Sequence, residues 1–138
     1  MKMRYITGIH ALNLPSALQT CGDWHGSAIQ WRAPSARNSE DSVFGGFGIE
    51  SGVSIPGHKD KYYAANHIRA LLDLLETGNL TLAQGMNNDY ICNDDYTDII
   101  FEKVMLLHNL PHWSEIDRFM GKEYCAKWLD FKKGRGYE

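Results

Sequence analysis

Apolar and polar positions alternate in short runs through the first half of the chain and recur at helical spacing through the second. Met3-Arg4-Tyr5-Ile6-Thr7 is rich in β-favouring side chains and predicts a first strand. Continuation of that strand past Gly8 to Leu12 would set Ile6, His10 and Leu12 on one face, and Pro15 would end it because proline donates nothing to a ladder. Ser16 to His25 reads as a surface loop, with Gly22 supplying an unusual backbone angle and Asp23 free to cap the next element. Trp24, Ala28 and Trp31 are spaced for a short helix, with a strand over Ser27–Trp31 as the rival, and Arg32–Ser42 is polar throughout and predicts a long connection. Phe44–Glu50 lacks both the GxGxxG helix opening and the GK[ST] ending of phosphate loops, so it predicts two short strands around Gly45 and Gly46. Val53-Ser54-Ile55 and a Pro56-Gly57 turn come next.

The helical period is clearest over Asp60–Glu76. Asp60 is placed as an N-cap, Ile68, Leu71, Leu72 and Leu75 form the apolar stripe, and Gly78 stands where a left-handed cap belongs. Asn66, Arg69, Asp73 and Glu76 fall on the opposite face, where Arg69 and Asp73 would form a surface ion pair. Leu80–Gln84 fits either a short strand or a helical turn, and Gly85–Tyr90 is turn chemistry. A helix is predicted from about Asp95 to His108, burying Ile99, Ile100, Val104 and Leu107, before Pro111 stops it. Two short helices, His112–Met120 and Lys122–Phe131, should be separated by Gly121. Strands first and helices after predict an α+β fold, a small mixed or antiparallel sheet from the N-terminal half covered by helices 61–76 and 95–108. One globular domain over 1–138 with a frayed tail at 132–138 is expected.

Composition narrows this picture. A 138-residue chain that is 43% hydrophobic can bury one core, and its net charge of -3 gives no basic surplus for nucleic acid. The charge is nevertheless segregated: 61–98 carries six acids against two bases, while the last forty residues carry seven bases against six acids. No apolar run is long enough for a membrane span or a signal peptide, so a cytoplasmic, membrane-free protein is expected. Its three cysteines, Cys21, Cys92 and Cys125, are then free thiols.

Chemistry-bearing residues are densest between Gly8 and His25. His10, Cys21, Asp23 and His25 include the ligand types zinc prefers, but the paired spacings CxxC and HExxH are absent, so a hydrogen-bonded His10 and a Cys21 packed as a small hydrophobe are preferred to a zinc site. Cys21 could serve as a nucleophile with His25, His67 or His10 as its base, although no cysteine-protease signature surrounds it. His10 and His25 could instead form an acid–base pair oriented by Asn13, Asp23 or Arg69, yet only His25-Gly26-Ser27 matches the H-x-[ST] motif of two-histidine phosphoesterases. The acids Asp89, Asp94, Asp95 and Asp98 lack the ligand order of an EF-hand. Four tryptophans, Trp24 and Trp31 among them, with seven tyrosines exceed what one small core needs; most are expected in the core, and the rest point to a partner surface.

The segments Gly8–Pro15, Thr20–His25 and Ala65–Leu72 together resemble a family of small bacterial proteins encoded near AbiE-type abortive-infection toxin–antitoxin genes. That resemblance implies a setting in toxin–antitoxin, phage-defence or counter-defence biology and no particular chemistry. The leading expectation is therefore a partner-binding or regulatory protein that recognises another protein, with self-association also open. Asn13, Trp24, Trp31, His67 and Arg69 are its candidate binding residues. The opposing expectation is a small hydrolase or transferase using His10, Cys21, Asp23 and His25, which requires those side chains to converge on one accessible cleft.

Overall fold

In a computed structural model, residues 3–23 and 28–136 are described. Four strands, β1 (Arg4–Ile6), β2 (Ala36–Asn38), β3 (Ile49–Ser54) and β4 (Lys61–Ala65), form one mixed sheet in the order β2-β1-β4-β3. β1 runs antiparallel to β2 and parallel to β4, and β3 pairs antiparallel with β4 across an irregularity between Glu50 and Val53. A short helix α1 (Gly8–Leu12) follows β1, and α2 (His67–Glu76) follows β4. The remaining helices are α3 (Leu80–Ala83), a π-helical segment Met86–Ile91, a 3-10 turn Asp94–Tyr96, α4 (Thr97–Met105), α5 (Trp113–Tyr124) and α6 (Ala126–Gly134). The fold is α+β, with the sheet drawn from the N-terminal half and the longer helices C-terminal to it.

The main core lies between the sheet, α2 and the C-terminal helices. Tyr5 and Leu12 from the first segments meet Leu71, Leu72 and Leu75 from α2, and Ile100, Ile116 and Trp128 from α4, α5 and α6 join the same cluster. A second, smaller cluster gathers Ile6, Leu14, Ile55 and Ala64, with Trp31, Val53 and Tyr62 packed against it. This division follows the pleat, since Tyr5 and Ile6 point to opposite faces of β1.

Several elements differ from those the pattern predicts. Residues 8–12 form α1 and not an extension of β1, because Gly8, Ala11 and Leu12 make a helical buried face. Asp60 is not a helix cap: Lys61–Ala65 is strand, and the helix begins at His67, with Asn66 as the cap whose side chain accepts from the Arg69 amide at 2.9 Å. Two consecutive tyrosines favour the pleated surface, and Asn66 is a cap of at least equal quality. The polar connection 32–42 holds β2 and a 3-10 turn at Ser39–Asp41. Residues 43–48 are turns, so only one strand, β3, follows Gly45 and Gly46 before the Pro56-Gly57 turn. The predicted helix or strand over 24–31 lies partly outside the described residues, and 29–31 belong to neither. Ile99 is exposed on α4 while Ile100 and Val104 are buried. The break between the last helices falls at Cys125 and not at Gly121. Lys132, expected in the tail, is buried in α6, where its ammonium and the Trp128 indole both donate to Asp117 Oδ1, at 2.7 and 2.8 Å.

Candidate functional site

The loop that follows α1 is wrapped around one imidazole. His67, the first residue of α2, is 4% exposed, and its two ring nitrogens have partners on either side of the loop. Nε2 lies 2.7 Å from the Leu14 carbonyl and Nδ1 lies 2.6 Å from Thr20 Oγ1. A carbonyl only accepts, so Nε2 carries the hydrogen and Nδ1 accepts from the Thr20 hydroxyl. Backbone bonds close the loop, with Asp23 N donating to Leu12 O at 2.8 Å and Gly22 N to Tyr90 O at 2.9 Å. Gly22 is required where it stands. Its φ is +72°, and a Cβ there would lie 2.6 Å from His67 Cε1 and 2.8 Å from the Leu12 carbonyl oxygen.

A shallow cleft of about 370 Å³ opens on this loop, lined by Leu12, Asn13, Thr20, Cys21, Asp23 and His67 among others. Cys21, Asp23, Asn13 and His67 are thus brought together. Asn13 Nδ2 donates to the Ile9 carbonyl at 2.8 Å, while its Oδ1 is buried without a hydrogen-bond partner. His10 is not part of this cleft. Its Nδ1 accepts from the Ser35 amide at 3.1 Å, its Nε2 donates to the Gln30 carbonyl at 2.9 Å, and its ring meets Trp31 edge to face at 5.3 Å. His10 therefore pins the segment 30–35 against α1. His25 and Trp24 lie outside the described residues.

Arg69, expected on the surface, is completely buried. Its Nε donates to Asp73 Oδ1 at 2.9 Å, one terminal nitrogen reaches the Gly45 and Phe47 carbonyls, and the other donates to Tyr5 Oη at 2.8 Å. Asp73 in turn accepts from Tyr5 Oη at 2.6 Å, Thr7 Oγ1 at 2.7 Å and Arg37 at 3.0 Å. Burial, then the Asp73 charge, pushes the Tyr5 hydroxyl far above its ordinary range, so it stays protonated and donates to Asp73. The polar groups of Arg69 and Asp73 are matched within the chain, which makes this network a buried brace. The only sequence signal for it was the i,i+4 spacing of Arg69 and Asp73.

Trp31 is half-buried against the smaller core and Trp128 is fully buried, so neither offers a flat aromatic surface. The large exposed apolar side chains among the described residues are Val43, Tyr63, Leu82, Ile99, Leu106 and Leu129. Among those residues, no three His, Cys, Asp or Glu side chains are grouped to hold a metal ion, and no helix is long and apolar enough to cross a membrane. No protein-family model, curated protein or solved structure matches the chain.

Proposed function

We propose that this chain acts by binding a partner protein, in the toxin–antitoxin, phage-defence or counter-defence setting that its resemblance implies. The observation that carries the reading is the exposed aliphatic stripe of α4. Ile99 within α4 and Leu106 at its C-cap are seven residues apart, about two helical turns, and stand 39% and 47% exposed. Lys103 lies between them, its ammonium 4.4 Å above the Phe47 ring. An apolar stripe with an aromatic and a fixed cation beside it suits an apolar helix face of a partner that carries acidic residues at its rim. The engagement of both ring nitrogens of His10 and His67 within the chain also favours recognition over turnover. The test is co-expression with the products of the adjacent genes and measurement of complex formation for the native chain and Leu106→Asp. A stable complex weakened at least about tenfold by the substitution is expected. Absence of any complex with those products, or binding unchanged by Leu106→Asp, sinks the reading.

A second reading has one observation in its favour. The Thr20 hydroxyl, the His67 imidazole and the Leu14 carbonyl stand in the relation of nucleophile, base and orienting group, beside Cys21 and Asp23 at an open cleft. Such a set would transfer the Thr20 proton to Nδ1 as the oxygen attacks an acyl carbon. Hydrolysis of p-nitrophenyl acetate by the native chain, lost in Thr20→Val, would favour this small hydrolase or transferase. Equal rates in both would remove it.

A further inference from the structure

Cys21 and Cys92 are 71 positions apart in the sequence, yet two polar tethers hold their segments side by side. Gly22 N donates to the Tyr90 carbonyl at 2.9 Å, and Asn93 Nδ2 donates to the Gln19 carbonyl at 2.9 Å. A third link, from Gln19 N to Tyr96 Oη at 3.1 Å, strengthens the same seam. Each cysteine therefore sits next to a residue bonded to the other segment. Both cysteines are exposed and free. From this geometry we infer that Cys21 and Cys92 form a reversible redox pair, closing to a disulfide when the protein meets a low-molecular-weight disulfide such as oxidised glutathione.

The local backbone prepares Cys92 for that role. It follows the π-helical turn with a left-handed φ of 54°, and its thiol donates to the Asn88 carbonyl at 3.0 Å. Desolvation of the sulfur, then the hydrogen bond to the Cys21 thiol, pushes the Cys92 thiol up to about 11. Because the Cys92 proton is held on the Asn88 carbonyl, Cys21 is assigned as the first nucleophile and Cys92 as the resolving thiol. The Cys21 thiolate attacks one sulfur of the small disulfide, forming a mixed disulfide and expelling one small thiolate. Cys92 sulfur then attacks the Cys21 sulfur, releases its proton to solvent, and expels the second small thiolate. Two protein thiols are oxidised to one disulfide, and one small disulfide is reduced to two thiols. Closure would lock the loop around His67, and with it the cleft, onto the segment 86–92.

Cys125 supplies an internal control because it is exposed at the α5–α6 junction and neither it nor its sequence neighbours take part in the three tethers. The purified full chain is titrated with oxidised glutathione, alkylated, and mapped by mass spectrometry after proteolysis. The expected product is a monomer with a Cys21–Cys92 crosslink, an alkylated Cys125, and a melting temperature raised by on the order of 5–10 °C that dithiothreitol reverses. The crosslink should persist in Cys125→Ser and vanish in Cys21→Ser. Glutathione adducts on separate cysteines, or crosslinked dimers through Cys125, with no Cys21–Cys92 peptide from the native chain, would overturn the pair. Because mapping is done on the native protein, the outcome does not depend on how any variant folds.

Discussion

Gly22 carries two constraints at once, a left-handed backbone and a ring packed where a side chain would begin. Gly52 carries only the first, with φ +67° and nothing within 4 Å of a Cβ placed there. Comparing alanine at the two sites separates the conformational from the steric part. Gly52→Ala should cost about 1 kcal/mol, the strain of a left-handed alanine alone. Gly22→Ala should cost roughly 2–4 kcal/mol, because one of the atoms in its way, the Leu12 carbonyl oxygen, belongs to backbone and cannot swing aside. Urea denaturation of both variants checks this, and equal losses would mean that the His67 loop yields freely. A loosened loop should also shift the environment of Cys21 before the rest of the fold responds.

At the scale of elements, the π-helical turn Met86–Ile91 is held from outside by α5. Glu123 accepts from the Gly85 amide through Oε2 at 3.1 Å and from the Asn87 amide through Oε1 at 3.0 Å. Glu123→Ala leaves both amides without that carboxylate and should lower stability by about 1–3 kcal/mol. Faster hydrogen exchange at Gly85 and Asn87 than elsewhere in the turn would locate the loss. Periodicity makes the body of α2 and its apolar stripe legible, because Ile68, Leu71, Leu72 and Leu75 at i, i+3, i+4 and i+7 admit one solution, and the glycine that follows marks the left-handed Gly78. β4 was hidden in the same stretch, since Lys61–Ala65 carries no decisive period and Asp60 imitates a cap. Arg69 and Asp73 were misplaced for a related reason: a polar face is read as a wet one, and only the fold reveals that Tyr5, Thr7 and Arg37 meet it. The site around His67 joins α1, the loop and α2 through contacts between residues 14 and 67, a separation that no local pattern encodes. Cys21 and Asp23 were legible as a cluster, whereas the role of Thr20 and the proximity of Cys92 depend on tertiary pairing.

Across the whole molecule, Glu76 ties the last turn of α2 to the edge of the sheet. It accepts from Arg37 of β2 at 2.8 Å, from Ser42 Oγ at 2.7 Å and from the Val43 amide at 3.0 Å. Burial works to raise its pKa, but the Val43 amide and then Arg37 and Ser42 outweigh it and hold the carboxyl below its ordinary 4.5. The carboxylate therefore releases its proton more readily in the folded chain than in the unfolded one. Its contribution to stability is complete above pH 4.5 and is lost as pH falls through the lower folded-state value. Glu76→Gln keeps the shape of the side chain and removes the charge, so it should destabilise the chain at pH 7 and progressively less below pH 4.5. Urea midpoints for the native chain and Glu76→Gln, measured from pH 7 to pH 3, should converge toward the acid end. Parallel curves across that range would show that the carboxylate acts here as a neutral acceptor and that the edge of the sheet is held by the remaining bonds of Arg37 to Asp73 and to the Asp41 carbonyl.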